Sequence, residues 1–221
     1  MSARSTAPAS GRERECWRVR RADGRDDAFE LARVWQHYFG LDYDAGRLPF
    51  PLGVIAGWSD SSDEETPIAT LGLLAEHHDV RVGVAQATIE DHSVTVDELP
   101  DGRFDKDSLA GDRNAWLWFG AVDPAWRGRG IGRRLFEERV QWADAQGADM
   151  AFAFGWERKD GPSSRPLFEA SDFVPVQEFP DEYQESRTSC PDCGVWETDD
   201  NHCECSMTLW ALDFDSREDR R

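Results

Sequence analysis

Lysine is almost missing from this chain of 221 residues: only Lys106 and Lys159 occur among 25 basic residues, against 44 acidic ones and a formal net charge of -19. A phosphate backbone is held mainly through neutralisation by Lys and Arg, so this balance argues against nucleic acid as a partner. The carboxylates are spread through every region rather than gathered in one tail, a halophile-like composition that keeps a surface hydrated in concentrated salt. Most of them then need no role beyond solvation. Long apolar runs are absent as well. No stretch approaches the roughly 18 apolar residues of a membrane span, and residues 1–15 carry no apolar segment of a secretory signal. The expectation is a cytoplasmic protein with no membrane contact.

What is present suffices for a core. The chain is 39% hydrophobic and holds ten tryptophans, apolar surface enough to offset the entropy of ordering it. Alternation predicts strands at 16–21, 68–76 and 80–89, the last two joined as a hairpin through 77–79. Apolar spacing predicts a helix at 26–39 stopped by Gly40, whereas 41–68 reads as irregular and 90–114 as a long polar excursion. The run 115–122 is continuously apolar, as in a central strand buried on both faces. A helix at 132–146 follows, with Leu135, Phe136, Val140 and Ala143 on one side and Gly147 as its cap. After it come a strand at 149–156, a short helix from Ser163 or Ser164 to Ala170, and strands at 173–179 and 207–212. Strands and helices in this order indicate an α+β or α/β sheet.

Between the central strand and its helix lies Arg127-Gly128-Arg129-Gly130-Ile131-Gly132. Alternate glycines let backbone N–H groups converge on one point, and the helix adds its positive end, so the loop suits a diphosphate. It is neither a dinucleotide fingerprint, since Leu135 stands where a third glycine is required, nor a P-loop, since no Lys-Ser/Thr follows.

From Ala121-Val122-Asp123-Pro124 through Gly132 the sequence resembles the acetyl-CoA signature, R/Q-x-x-G-x-G/A, of the GNAT superfamily of N-acetyltransferases, and Leu167-Phe168-Glu169-Ala170-Ser171-Asp172-Phe173 is similar to the family's late helix. The resemblance implies a mixed, mostly antiparallel sheet, flanked by helices and splayed after the central strand. It implies that Gly120, Ala121 and Val122 pair with the pantetheine arm, while Arg127, Gly128, Arg129, Gly130, Ile131, Gly132 and Arg133 take the pyrophosphate. The implied reaction is direct attack of an amine on the thioester of acetyl-CoA. Positions 15–213 would form this acyltransferase domain, between a flexible tail at 1–14 and a charged tail at 214–221. A homodimer is compatible with the resemblance. So is a non-catalytic acetyl-CoA-binding or protein-interaction module, because the family's proton-donating Tyr on the late helix is replaced here by Phe168. No carboxylate lies within 80–89 or 115–122, which leaves Glu90, with Asp91 beside it, as the candidate general base.

Four of the five cysteines fall within sixteen residues: Cys190 and Cys193 flank Pro191-Asp192, and Cys203 and Cys205 flank Glu204. This spacing supplies four thiolates for a structural Zn2+. His202 is an alternative fourth ligand, and two disulfides are the competing arrangement. The cluster makes 181–206 an insertion in the last hairpin, where Tyr183 is another candidate acid.

Overall fold

The computed structural model describes residues 17–39, 67–158, 163–180 and 205–218. Its seven strands are β1 (Trp17–Arg21), β2 (Ala69–His77), β3 (Val80–Asp91), β4 (Arg113–Val122), β5 (Met150–Glu157), β6 (Val174–Phe179) and β7 (Ser206–Asp213). They form one sheet in the order β1-β2-β3-β4-β5-β7-β6. Every pairing is antiparallel except β4 with β5. This is the α+β class expected from the sequence.

Two layers of helix cover the sheet. Helix α1 (Gly24–Phe39) puts Ala28, Leu31 and Ala32 on Leu74, Val84 and Phe119. On the same side lie α2 (His92–Glu98) and α3 (Lys106–Leu109), near a second cluster built on Leu99, Trp116, Phe152 and Leu209. The opposite face carries α4 (Ile131–Ala145) and α5 (Arg165–Glu169), whose Leu135, Phe136, Val140 and Phe168 join Ala85, Leu117, Ala153 and Trp210. Full burial of each large side chain contributes roughly 1.5–3 kcal/mol, so both faces are firmly sealed.

An ionic knot fixes α1 to the sheet. Asp27 in its first turn is buried and accepts from Arg20 of β1 at 2.5 Å and Arg81 of β3 at 3.2 Å, while Arg20 also reaches Glu76 of β2 at 2.8 Å. The bond from Arg20 holds the Asp27 carboxyl well below the usual carboxylate range, against the opposing effect of desolvation.

Three expectations need correction. Strand β3 does not stop at 89: the register continues as Ile89 to Ala115, Glu90 to Asn114 and Asp91 to Arg113, so Glu90 is a strand residue. The stretch 90–114 is not a plain excursion, because Asp91 accepts from Val94 N at 3.0 Å and starts α2. The presumed charged tail opens as a helix, α6 (Phe214–Glu218), with Phe214 buried in the core. Of the segment 41–68 expected to be irregular, residues 41–66 lie outside the described residues, as do Cys190, Cys193, His202, Cys203 and Tyr183.

Candidate active site

Strands β4 and β5 pair only at Asn114, Ala115 and Trp116 with Met150, Ala151 and Phe152. Beyond that point β4 stays with β3 as far as Val122, and β5 stays with β7 as far as Glu157. The sheet splits into a V, and the split opens a cleft of about 400 Å³ between β4, β5, α4 and α5. Three arginines line it, Arg127, Arg139 and Arg158, and among the described residues no acidic one does. In a chain of net charge -19, a cleft lined this way is built for an anion.

The open edge of β4 has free backbone groups. Asp123 N donates to Val82 O at 3.0 Å, and antiparallel ladders alternate, so Ala121 and Phe119 point their amides and carbonyls at β3 while those of Gly120 and Val122 face the cleft. Val122 O already accepts from Arg127 Nε at 3.1 Å. An extended ligand arm lying in the V therefore meets backbone partners chiefly at Gly120 and Val122, while Ala121, which also lines the cleft, has its backbone groups paired with β3.

The glycine loop closes one end of the cleft. Asp123 caps a 3-10 turn at Pro124–Trp126 by accepting from Ala125 N at 2.8 Å. Gly128 and Gly130 then take φ of 75° and 84°, a left-handed conformation that costs other residues about 1–2 kcal/mol. Gly130 is the N-cap of α4 and brings no side chain to satisfy it, and no acidic residue occupies the first turn. The first intrahelical bond runs from Arg134 N to Gly130 O at 3.0 Å. The amides of Ile131, Gly132 and Arg133 are left for an anion, with the helix dipole behind them. Of the loop arginines only Arg127 lines the cleft. Arg129 lies over the Trp126 ring at 4.6 Å, and Arg133 pairs with Glu137 at 2.7 Å on an exposed face, a bond that an incoming phosphate can exchange at little cost.

Glu90 sits on the other face of the sheet, where Gln86, Thr88 and Glu90 alternate along β3 and all are buried. Thr88 Oγ1 donates to Glu90 Oε1 at 2.7 Å and accepts from Trp118 Nε1 at 2.8 Å. Glu90 does not line the cleft, but Trp118 does. Burial raises the Glu90 pKa, with hydrogen bonding by Glu98 and Thr88 acting the other way. Asp91, committed to capping α2, has its pKa lowered by the Val94 amide. Neither the amide nitrogen nor the amide oxygen of Gln86 has a hydrogen-bond partner.

Sequence reasoning passed over Gln86, Thr88, Trp118 and Arg139. The first two were visible as polar residues alternating through an otherwise apolar strand. Arg139 was visible too, as a charge four residues after Leu135 and three after Phe136, on the stripe that packs against the sheet. Phe168, on the late helix, is buried with its ring stacked on Trp210 at 5.1 Å and edge-on to Phe136 at 5.2 Å. It is apolar packing at the cleft wall and has no proton to give.

Residues 30–173 match the model of the Acetyltransferase (GNAT) family. Among solved structures, the chain is similar to Arabidopsis thaliana NAA60 in complex with acetyl-CoA, at 14% identity and a TM-score of 0.57 over 90% of this chain and 99% of that one. A mosquito arylalkylamine N-acetyltransferase like 5b gives 13% and 0.56 over 90% and 100%. The ribosomal-protein-S18-alanine N-acetyltransferase from Escherichia coli gives 14% and 0.52 over 90% and 94%. No curated protein matches the chain in sequence.

Proposed function

The chain belongs to the acetyltransferase (GNAT) family and is an acetyl-CoA-dependent N-acetyltransferase, and from that premise we propose how its own residues carry the reaction. Pantetheine lies along the open edge of β4, with Gly120 and Val122 as its backbone partners. The pyrophosphate sits in the loop from Arg127 through Gly128, Arg129 and Gly130, on the amides left at Ile131, Gly132 and Arg133, and the Arg133 side chain turns from Glu137 to meet it. The observation that carries this reading is the V between β4 and β5, ending at a helix N-terminus that two left-handed glycines leave uncapped.

The acceptor is an amine, either a small molecule, a lysine or a protein N-terminus. Its nitrogen attacks the thioester carbonyl carbon, the C–S bond breaks, and the amine proton is carried by water to Glu90, which Thr88 holds in place behind Trp118 at the cleft wall. The raised pKa of a buried carboxylate suits this role, since proton transfer is most efficient near the working pH. Acetyl-CoA consumption with a panel of amines tests the reading. Turnover is expected in the wild type and a fall of about 100-fold in kcat is expected for Glu90→Gln; an unchanged rate in that variant would remove Glu90 from the mechanism.

We assign Cys190, Cys193, Cys203 and Cys205 to a structural Zn2+. Four thiolates would close its coordination sphere, leaving no position for substrate, and Cys205 is buried immediately before β7. Replacing Cys190 and Cys193 by Ser should abolish bound zinc and lower stability or change acceptor choice. An acidic, lysine-poor surface further supports work in concentrated salt, for which a thermal midpoint that rises with KCl is the expected sign.

A further inference from the structure

Arg139 is a buried cation on the apolar face of α4, 5% exposed. One of its terminal nitrogens donates to Phe119 O at 3.0 Å and Gln86 O at 3.3 Å, and Nε lies 3.4 Å from Leu135 O. Those two strand carbonyls flank the irregularity where β3 and β4 change register. The second terminal nitrogen faces Gly120, where a Cβ would stand 3.1 Å from it. Arg139 and Gly120 both line the cleft.

No carboxylate offsets this charge. Its surroundings are backbone carbonyls and the Phe136 ring, 5.5 Å from the guanidinium carbon, with Phe168 edge-on behind that ring. No titratable group of β3, β4, α4 or α5 among the described residues acts on it. Desolvation alone pushes its pKa down to about 10, so it stays protonated at neutral pH. The other charges lining the cleft, Arg127 and Arg158, are positive too. Burying a charge with no counter-ion costs several kcal/mol, and the backbone carbonyls of Phe119, Gln86 and Leu135 offset that only in part, since they carry no formal charge. A cation held this way at the cleft is suited to a transient anion.

We propose that Arg139 receives the thiolate of CoA as the thioester breaks. The assignment rests on the acetyl-transfer reading above and gives the leaving group a partner that Phe168 cannot be. When the C–S bond cleaves, its electron pair stays on sulfur, the sulfur pairs with the guanidinium as a thiolate, and a proton is taken from solvent on release. Arg139 donates no proton. It acts by charge, in a site where the low dielectric strengthens the attraction.

The test is the ionisation of the thiol of bound CoA, followed by its ultraviolet thiolate absorbance in the wild type and in Arg139→Met, with desulfo-CoA as a ligand that has no thiol. The bound thiol is expected to ionise at least about one pH unit below free CoA in the wild type. Above that pH the wild type should prefer CoA to desulfo-CoA by about tenfold, and Arg139→Met should lose the shift and the preference together. A wild-type thiol that titrates at or above its free value overturns the assignment, whatever becomes of the variant's fold. Equal binding of CoA and desulfo-CoA at every pH overturns it also and leaves the acetyl-transfer reading standing. Failure of both ligands to bind brings down that reading and this one with it.

Discussion

At the scale of single residues, the chemistry is divided between two faces of one sheet. Glu90, Thr88 and Trp118 stand on the α1 and α2 side, joined by hydrogen bonds of 2.7 and 2.8 Å, and of these Trp118 lines the cleft, whereas Arg139 lines it from the α4 side. Because burial raises the Glu90 pKa, the carboxylate that accepts a proton is lost as pH falls through that raised value. The acid limb of the kcat profile should therefore lie above the ordinary glutamate range, and Glu90→Gln should flatten it. Thr88→Ala interrupts the hydrogen-bonded link while keeping the carboxylate; a fall in kcat of at least about tenfold with little change in the KM for acetyl-CoA is expected. Steady-state kinetics across pH check both. Arg139 shows how a site residue is legible and still passed over. Its place in the apolar period of α4 is plain, but a charge within a stripe of Leu135, Phe136 and Val140 is easily read as the stripe's edge.

At the scale of elements, β4, its glycine loop and α4 were legible because each follows from local chemistry: a continuous apolar run, an Asp-Pro stop, alternate glycines, then a helical period. The extension of β3 to Asp91 was not, since a Glu-Asp pair resembles a loop and only its pairing with Asn114 and Arg113 of β4 holds it in the sheet. Helix α2 was hidden for a related reason. Its sequence, His92-Ser93-Val94-Thr95-Val96-Asp97-Glu98, holds three β-branched residues in a row, which favour strands, and its start depends on the Asp91 cap. Two predictions belong to this scale. Gly130→Asp puts a side chain on a left-handed residue and a negative charge in the anion cradle, so acetyl-CoA binding should weaken at least about tenfold with the fold retained; calorimetric titration measures it. Asp27→Ala releases α1 from β1 and β3 and should lower the unfolding free energy by about 3 kcal/mol, read from denaturant melts. The folded pKa of Asp27 is depressed, so its contribution is complete above the unfolded value of about 3.9 and is lost as pH falls toward the lower folded value. The variant should narrow the stability gap to wild type only in acid.

At the scale of the whole molecule, a net charge of -19 surrounds a cleft lined by arginines and, among the described residues, by no acids. The outer charge suits a hydrated surface and the inner charge suits a phosphorylated thioester. The family sets the fold and the co-substrate. The most direct measurement is acetyl-CoA turnover with a panel of amines, following CoA release and the mass of the product in the wild type, Glu90→Gln and Gly130→Asp. Acetylated amine formed in step with CoA, slowed about 100-fold by loss of the carboxylate and weakened at the co-substrate by the loop substitution, is the predicted result. Acetyl-CoA that is bound but never transferred to any amine would contradict the account and leave a binding module in its place.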